Sequence, residues 1–216
     1  MIEHHVTDQL LMAYSAGTLP EAFGLVVATH VSMCDECRAR MESFDALGGS
    51  VLADAPQHDE VSMDADAFES TLSMIKRGPK DPIEIAPRKQ SDVPAPLAEY
   101  LGGGLDSVRW RPVGMGVRQA ILRTSKEATA RLLYIPAGVA VPDHCHRGTE
   151  LTLVIKGAFE DEFDRFGPGD LEVADEEMVH TPVASKDGPC ICLAATDAPL
   201  RFSGLIPRLA QSFLRM

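Results

Sequence analysis

The sequence predicts an α+β chain of two domains, a small metal-stapled helical unit over residues 1–78 and an all-β barrel or sandwich over residues 97–216. Three observations carry this. Apolar residues recur at helical spacing up to about residue 76 and then alternate in short runs from about residue 108 onward. Between the two regimes, Pro79, Pro82, Pro87, Pro94 and Pro96 sit in a stretch without periodicity, so residues 79–96 read as an extended linker. Near the end of an apolar helical segment stands His30-Val-Ser-Met-Cys34-Asp-Glu-Cys37, a set with metal-ligand spacing.

Residues 7–16 form a short amphipathic helix with Leu10, Leu11 and Tyr14 inward, stopped by Gly17. Thr18-Leu-Pro-Glu21 then reads as a capping box with proline in the first turn, opening a helix through Phe23, Leu25, Val26 and Val27 to His30. A third helix, from about Asp35 to Leu47, carries Met41, Phe44 and Leu47 on one face and ends at Gly48-Gly49. The fourth, about Asp64 to Lys76, spaces Phe68, Leu72 and Ile75 helically before Gly78-Pro79. Four short helices make a small core, so a metal staple matters here. Structural zinc contributes roughly 10–16 kcal/mol to folding in finger-sized units.

At 3.6 residues per turn, the spacings of four and three place His30, Cys34 and Cys37 on one side of a helix or helix–turn. Their imidazole nitrogen and thiolate sulfurs suit Zn²⁺, which in a closed site takes four ligands in a tetrahedron. A fourth ligand must come from elsewhere, and His4 and His5 are the nearest candidates. Five cysteines, with no basic-then-apolar leader, point to reduced thiols rather than a disulfide framework and to a cytoplasmic protein. No apolar run approaches the roughly 20 residues needed to span a bilayer.

After the linker the runs VRWRPV, VRQAILRT, ARLLYIP, ELTLVIKG, DLEVA and CICLAAT follow one another with Gly, Pro and Asp turns between them, as strands of a barrel or sandwich do. Leu209 to Leu214 is expected to close the chain with a helix. Within the strands, His144 and His146 share a face because the side-chain period is two, and Cys145 faces the other way. Glu150, across a turn at Gly148, folds back toward them, and His180 offers a third imidazole from a neighbouring strand. Three imidazoles and a carboxylate accept Zn²⁺, Mn²⁺, Fe²⁺ or Ni²⁺. Nothing beside them supplies a general base or nucleophile that would name a reaction. Cys190 and Cys192 share a strand face, as small core residues or as a redox pair.

These residues resemble the cupin barrel. Its first motif, G(x)5HxH(x)3E(x)6G, is matched without a gap by Gly138, His144, His146, Glu150 and Gly157. The second is matched at Gly169 and His180 but departs at Asp175, Glu177 and Ala184. The resemblance implies a divalent metal, taken as Zn²⁺, held by His144, His146, Glu150 and His180 inside the barrel.

Charge separates the function classes. Residues 1–78 carry 13 acidic and 4 basic side chains, a net of -9 out of the chain's -12, a field that repels phosphate and attracts basic partners. Direct nucleic-acid binding is disfavoured, since only Arg38 and Arg40 lie near the HxxxCxxC set. The whole chain, including HHVTDQLLMAY and VATHVSMCDECRAR, resembles the ChrR-type zinc-binding anti-sigma factors. That resemblance implies that His5 is the fourth zinc ligand, that the N-terminal domain binds an extracytoplasmic-function-type sigma factor, and that the cupin domain responds to singlet oxygen or related oxidants. The rival reading is a metal-dependent cupin enzyme, a dioxygenase or isomerase, with a helical docking domain.

Overall fold

In the computed structural model the described residues are 1–54, 63–78, 91–141, 148–175 and 178–198, with the backbone alone at 144–145, 179 and 201–202. Five helices come in the order α1 (Asp8–Ser15), α2 (Glu21–Met33), α3 (Asp35–Asp54), α4 (Ala67–Arg77) and α5 (Ala95–Leu101). Twelve strands follow: β1 (Arg111–Gly114), β2 (Val117–Ile121), β3 (Thr129–Ile135), β4 (His144–Cys145), β5 (Glu150–Lys156), β6 (Phe159–Glu160), β7 (Arg165–Phe166), β8 (Leu171–Ala174), β9 (Val179–His180), β10 (Val183–Ala184), β11 (Cys190–Thr196) and β12 (Arg201–Phe202). A helical N-terminal region thus precedes a cupin-like sheet domain, as the patterning predicts. The linker residues 79–90, His146, Glu177 and the expected helix at 209–214 lie outside the described residues.

The helices obey the sequence in most respects and depart from it in two. Thr7 caps α1, its Oγ1 accepting from the Leu10 amide at 3.3 Å. The expected capping box before α2 does not form. The Thr18 hydroxyl instead donates to the Ala13 carbonyl, Pro20 occupies the cap position, and the Glu21 carboxylate accepts from Tyr100 on α5 and the Ser125 amide between β2 and β3. A long-range contact has displaced the local one. Helix α3 runs through Gly48-Gly49 to Asp54, because neither glycine adopts the left-handed backbone that ends a helix. Glycine within a helix costs about 1 kcal/mol relative to alanine without forbidding it.

Six antiparallel strands form the main sheet in the order β1-β2-β3-β11-β5-β8, and two three-stranded sheets, β10-β6-β7 and β12-β4-β9, complete the domain. Period-two alternation divides the sheet's side chains between two cores. Leu132, Leu151, Leu153, Leu171, Leu193 and Ala195 face the helices and join Val26, Val27, Leu11 and Leu97 in one cluster. Val117, Ile135, Val154, Phe159, Phe166, Cys190 and Cys192 face the lumen and form the other. Helix α2 touches α1, α3, α5 and strands β3, β5 and β11, which is why it is apolar all round rather than on one stripe. Its Val26 and Val27 are fully buried, each contributing about 1.5–3 kcal/mol relative to exposure. Helix α4 is the opposite case. It buries no residue, and Phe68, Met74 and Ile75 stand in solvent.

Candidate metal centres

The junction of α2 and α3 delivers three of the four predicted N-terminal ligands. His30 lies in the last turn of α2, Cys34 caps that helix with extended backbone, and Cys37 opens the first turn of α3. The break at Cys34 turns its sulfur back toward His30, and the Cys37 amide donates to the Cys34 Sγ at 3.4 Å. The fourth ligand comes from the extended segment before α1. His5 Nδ1 lies 3.4 Å from Cys34 Sγ and 3.5 Å from Cys37 Sγ. One donor atom from each of His5, His30, Cys34 and Cys37 falls within 4.8 Å of all the others.

The neighbouring histidine does something else. His4 packs its ring on Phe166, with centroids 4.4 Å apart, and points Nε2 at Asp164 from 3.5 Å. Where the sequence left His4 and His5 as alternatives, the geometry brings only His5 to the cluster.

The donor chemistry fits a zinc-type ion. His30 is fully buried, yet neither ring nitrogen makes a hydrogen bond of ordinary geometry, a costly state for an imidazole unless a metal takes a nitrogen. Burial pushes its basicity down, against a smaller opposing pull from the Gly169 backbone. The Cys37 thiol is pushed up to about 11, first by burial and then by the adjacent Cys34, so without a cation its sulfur favours the protonated form. A bound dication reverses that preference and draws off the thiol protons. On the outer side of His5, Nε2 approaches the Glu36 carboxylate at 3.5 Å, a contact that fixes the ring with Nδ1 toward the sulfurs. Glu36 was legible as a residue of the CDEC run but not as a support for His5.

The barrel's polar interior is built from inward positions. Glu150, first residue of β5, and His180, on β9, are both buried in the lumen, and His180 sits opposite the backbone of His144 in the β4–β9 ladder. His146 and the side chain of His144 are outside what is described. Two carboxylates not singled out from the sequence join His180: its Nδ1 lies 2.7 Å from Glu172 Oε1 and 3.3 Å from Asp161 Oδ2. Burial works against the His180 cation, but Glu172 and Asp161 outweigh it and raise its basicity. Burial likewise holds the Glu172 carboxyl above its usual range. Asp161, His180 and Glu172 form a second group with metal-ligand geometry. Glu172 had a signal in DLEVA, as a charge at the lumen-facing position between Leu171 and Val173; Asp161 had none.

Cys190 and Cys192 are buried thiols with sulfurs 3.4 Å apart, in the lumen-facing core. Contact with Cys190 and burial push the Cys192 thiol far up, so it holds little thiolate.

A four-donor Cys/His cluster in a helical region laid against a barrel with a polar lumen defines a helical unit with a candidate metal site, fused to a cupin-like domain. Residues 103–198 match the ChrR cupin-like domain family. Over 217 aligned residues the chain is 57% identical to the anti-sigma-E factor ChrR of Cereibacter sphaeroides, covering 100% of this chain and 99% of that protein. The crystal structure of Rhodobacter sphaeroides SigE in complex with the anti-sigma ChrR matches with 55% identity, a TM-score of 0.77, and coverage of 91% of this chain and 100% of that one. The chain belongs to the ChrR anti-sigma factor family.

Proposed function

We propose that this chain is an anti-sigma factor that binds and inhibits a sigma factor of the extracytoplasmic-function type. The observation that carries the reading is full-length likeness to an anti-sigma-E factor at 57% identity. The helical unit has the physical character the task needs. Leu47, Val51 and Leu52 at the far end of α3 are exposed, as are Phe68, Met74 and Ile75 on α4. Such an apolar set rimmed by acidic residues suits a basic partner with an apolar contact patch. Apolar side chains left this exposed gain stability when a partner covers them.

In this reading His5, His30, Cys34 and Cys37 hold Zn²⁺ and fix the α2–α3 junction, while His144, His146, Glu150 and His180 hold a second divalent metal, Zn²⁺, in the barrel. The two units divide at residues 1–78 and 97–216, with 79–96 as linker. An oxidant or ligand acting at the barrel weakens the grip on sigma and frees it for transcription, a bias between two states of one complex. The protein works in the cytoplasm, touches neither DNA nor membrane, and catalyses no reaction; no described helix is long and apolar enough to cross a membrane. The enzyme alternative lacks support of comparable strength.

The test is affinity purification of the tagged full-length chain from its own cells. A near-stoichiometric sigma factor, lost in Cys34→Ala, supports the reading. Recovery of the chain alone, with metal still bound, sinks it.

A further inference from the structure

His5 is the one ligand of the N-terminal cluster that lies away from α2, α3 and their junction, since residues 1–7 precede α1 outside any helix or strand. A tetrahedral site tolerates errors of only a few tenths of an ångström, so something outside the HxxxCxxC helix pair must fix this segment. The fixing group belongs to the barrel. Asp170 Oδ1 accepts hydrogen bonds from the Glu3 amide at 2.7 Å and the His4 amide at 3.0 Å, and the Leu171 amide donates to the His4 carbonyl at 3.1 Å. The other carboxylate oxygen, Oδ2, accepts from the Gly167 amide at 2.8 Å, which ties Asp170 into its own turn. Its side chain is buried between turn and segment, and although burial opposes its charge, the amides of His4, Gly167 and Glu3 keep it ionised below the usual carboxylate range.

The same turn reaches the other imidazole. Gly169 sits at φ +91°, and a Cβ there would come within 2.5 Å of Ile2 Cδ1, so the turn and the N-terminal segment are in closest contact at that point. Its backbone also borders the buried ring of His30. One barrel turn, residues 167–171, therefore touches the segment carrying His5 and the ring of His30, two of the four donors.

We infer that Asp170 is a positioning residue for the N-terminal metal centre, holding the backbone that presents His5 to the metal, although it lies in the other half of the chain. The inference rests on the zinc reading of His5, His30, Cys34 and Cys37. It also gives the two halves a route of communication through the β8 backbone and these hydrogen bonds. Two residues after Asp170, on β8, Glu172 is buried and meets His180 at 2.7 Å. A displacement of β8 caused by chemistry in the lumen is carried to Asp170 and from there to His5. Linkage makes the coupling reciprocal: metal at the N-terminal centre stabilises this position of β8.

The experiment uses the full-length chain. Zinc affinity is measured by chelator competition, and Co²⁺ substitution reports thiolate and imidazole ligation by absorption. The parent chain is expected to hold a zinc ion that Cys34→Ala loses; if it holds none, the zinc reading and this inference fall together, before any Asp170 variant is made. Given that ion, Asp170→Ala is expected to weaken zinc by about 10–100-fold, the range for removal of a group that orients a metal ligand. Asp170→Asn, which keeps an acceptor oxygen, is expected to fall between. Asp164→Ala, which removes a contact to the His4 ring and a local bond from the Arg165 amide but none to the segment's backbone, should leave affinity unchanged. A purely structural role is separated by Leu132→Ala, which destabilises the core from β3, a strand whose ladder partners are β2 and β11. If Asp170→Ala binds zinc within twofold of the parent, or loses no more affinity than Leu132→Ala, Asp170 does not position the site. Should Asp170→Ala fail to fold, hydrogen exchange on the unaltered chain decides: zinc is expected to slow the Glu3, His4 and Leu171 amides together, and a Leu171 amide indifferent to zinc overturns the inference.

Discussion

Replacing Phe68 and Ile75 by alanine should separate binding from stability. Both lie on α4, seven residues apart and on one face, and each is 69% exposed. Fully burying such a side chain gives about 1.5–3 kcal/mol, and with two thirds of each still in water about 1–2 kcal/mol per residue remains to be gained on docking. The pair is therefore expected to lose about 2–4 kcal/mol of sigma affinity, a weakening of roughly 30- to 1,000-fold in Kd. Folding stability should hold or rise slightly, because α4 buries no residue and alanine is the better helix former by a few tenths of a kcal/mol each. Isothermal titration against the co-purified sigma factor gives the first quantity and thermal denaturation of the free protein the second. A Kd within threefold of the parent at unchanged Tm would show that α4 is not part of the contact. A fall in Tm would show that its apolar face packs within the chain.

Three further outcomes follow from the geometry. Zinc binding should release at least one proton per ion near neutral pH, since the Cys37 thiol is pushed up to about 11 without metal; a weakly buffered titration with a pH dye measures this, and zero release would refute the thiolate site. Leu193→Ala, at a fully buried position of β11 shared by helices and sheet, should cost about 2–5 kcal/mol and lower helical and sheet signals in a single transition; two separated transitions by circular dichroism and calorimetry would refute a shared core. The Asp170 carboxylate has a depressed folded value, so its contribution is present above the unfolded value and disappears as pH falls through the folded one. Acidification should then expel zinc first, by protonating thiols and imidazoles, and free the Glu3 and His4 amides only at a pH below the usual carboxylate range. Amide exchange that accelerates in step with zinc loss would contradict that order.

Much of this architecture is written locally. Cys34 and Cys37 meet because CxxC at a helix start places both sulfurs on one side, and Leu151, Leu153, Leu193 and Ala195 face α2 because strand alternation allows nothing else. The parts that sequence does not reveal depend on contacts across long separations. His5 rather than His4 enters the cluster because Asp170, 165 residues on in the chain, grips the intervening backbone so that one ring turns to Phe166 and the next to the sulfurs. Thr18 and Glu21 have the letters of a capping box, yet Glu21 has better partners in Tyr100 and Ser125. Helix α5 is hidden in the sequence because its residues sit among prolines, and its hold comes from contacts with α2, with Leu97 sunk in the core, Ala98 and Leu101 packed on it, and Tyr100 bonded to Glu21.

The burial of α2 restricts how sigma can be released. Val26, Val27 and His30 are enclosed by helices on one side and by β3, β5 and β11 on the other, so a signal that moved α2 away from the sheet would have to open the main core. Exposing even four such side chains costs about 6–12 kcal/mol, comparable to the whole stability of a domain. Release by that route amounts to unfolding. The N-terminal segment sinks only Val6 into that core and the far ends of α3 and α4 bury nothing, so moving them costs less, about 1.5–3 kcal/mol for the one side chain. The segment is held by three backbone-directed hydrogen bonds to the barrel turn, and such bonds contribute roughly 0.5–1.5 kcal/mol each, more to a charged acceptor such as Asp170. Loosening it would displace His5, open the four-donor cluster at one corner, and let α3, packed on α1, reorient about Cys34 while α2 stays in place. A barrel-driven switch therefore has its least costly path through Asp170 and His5, and the part of the molecule that would move is the part that displays its apolar residues to a partner.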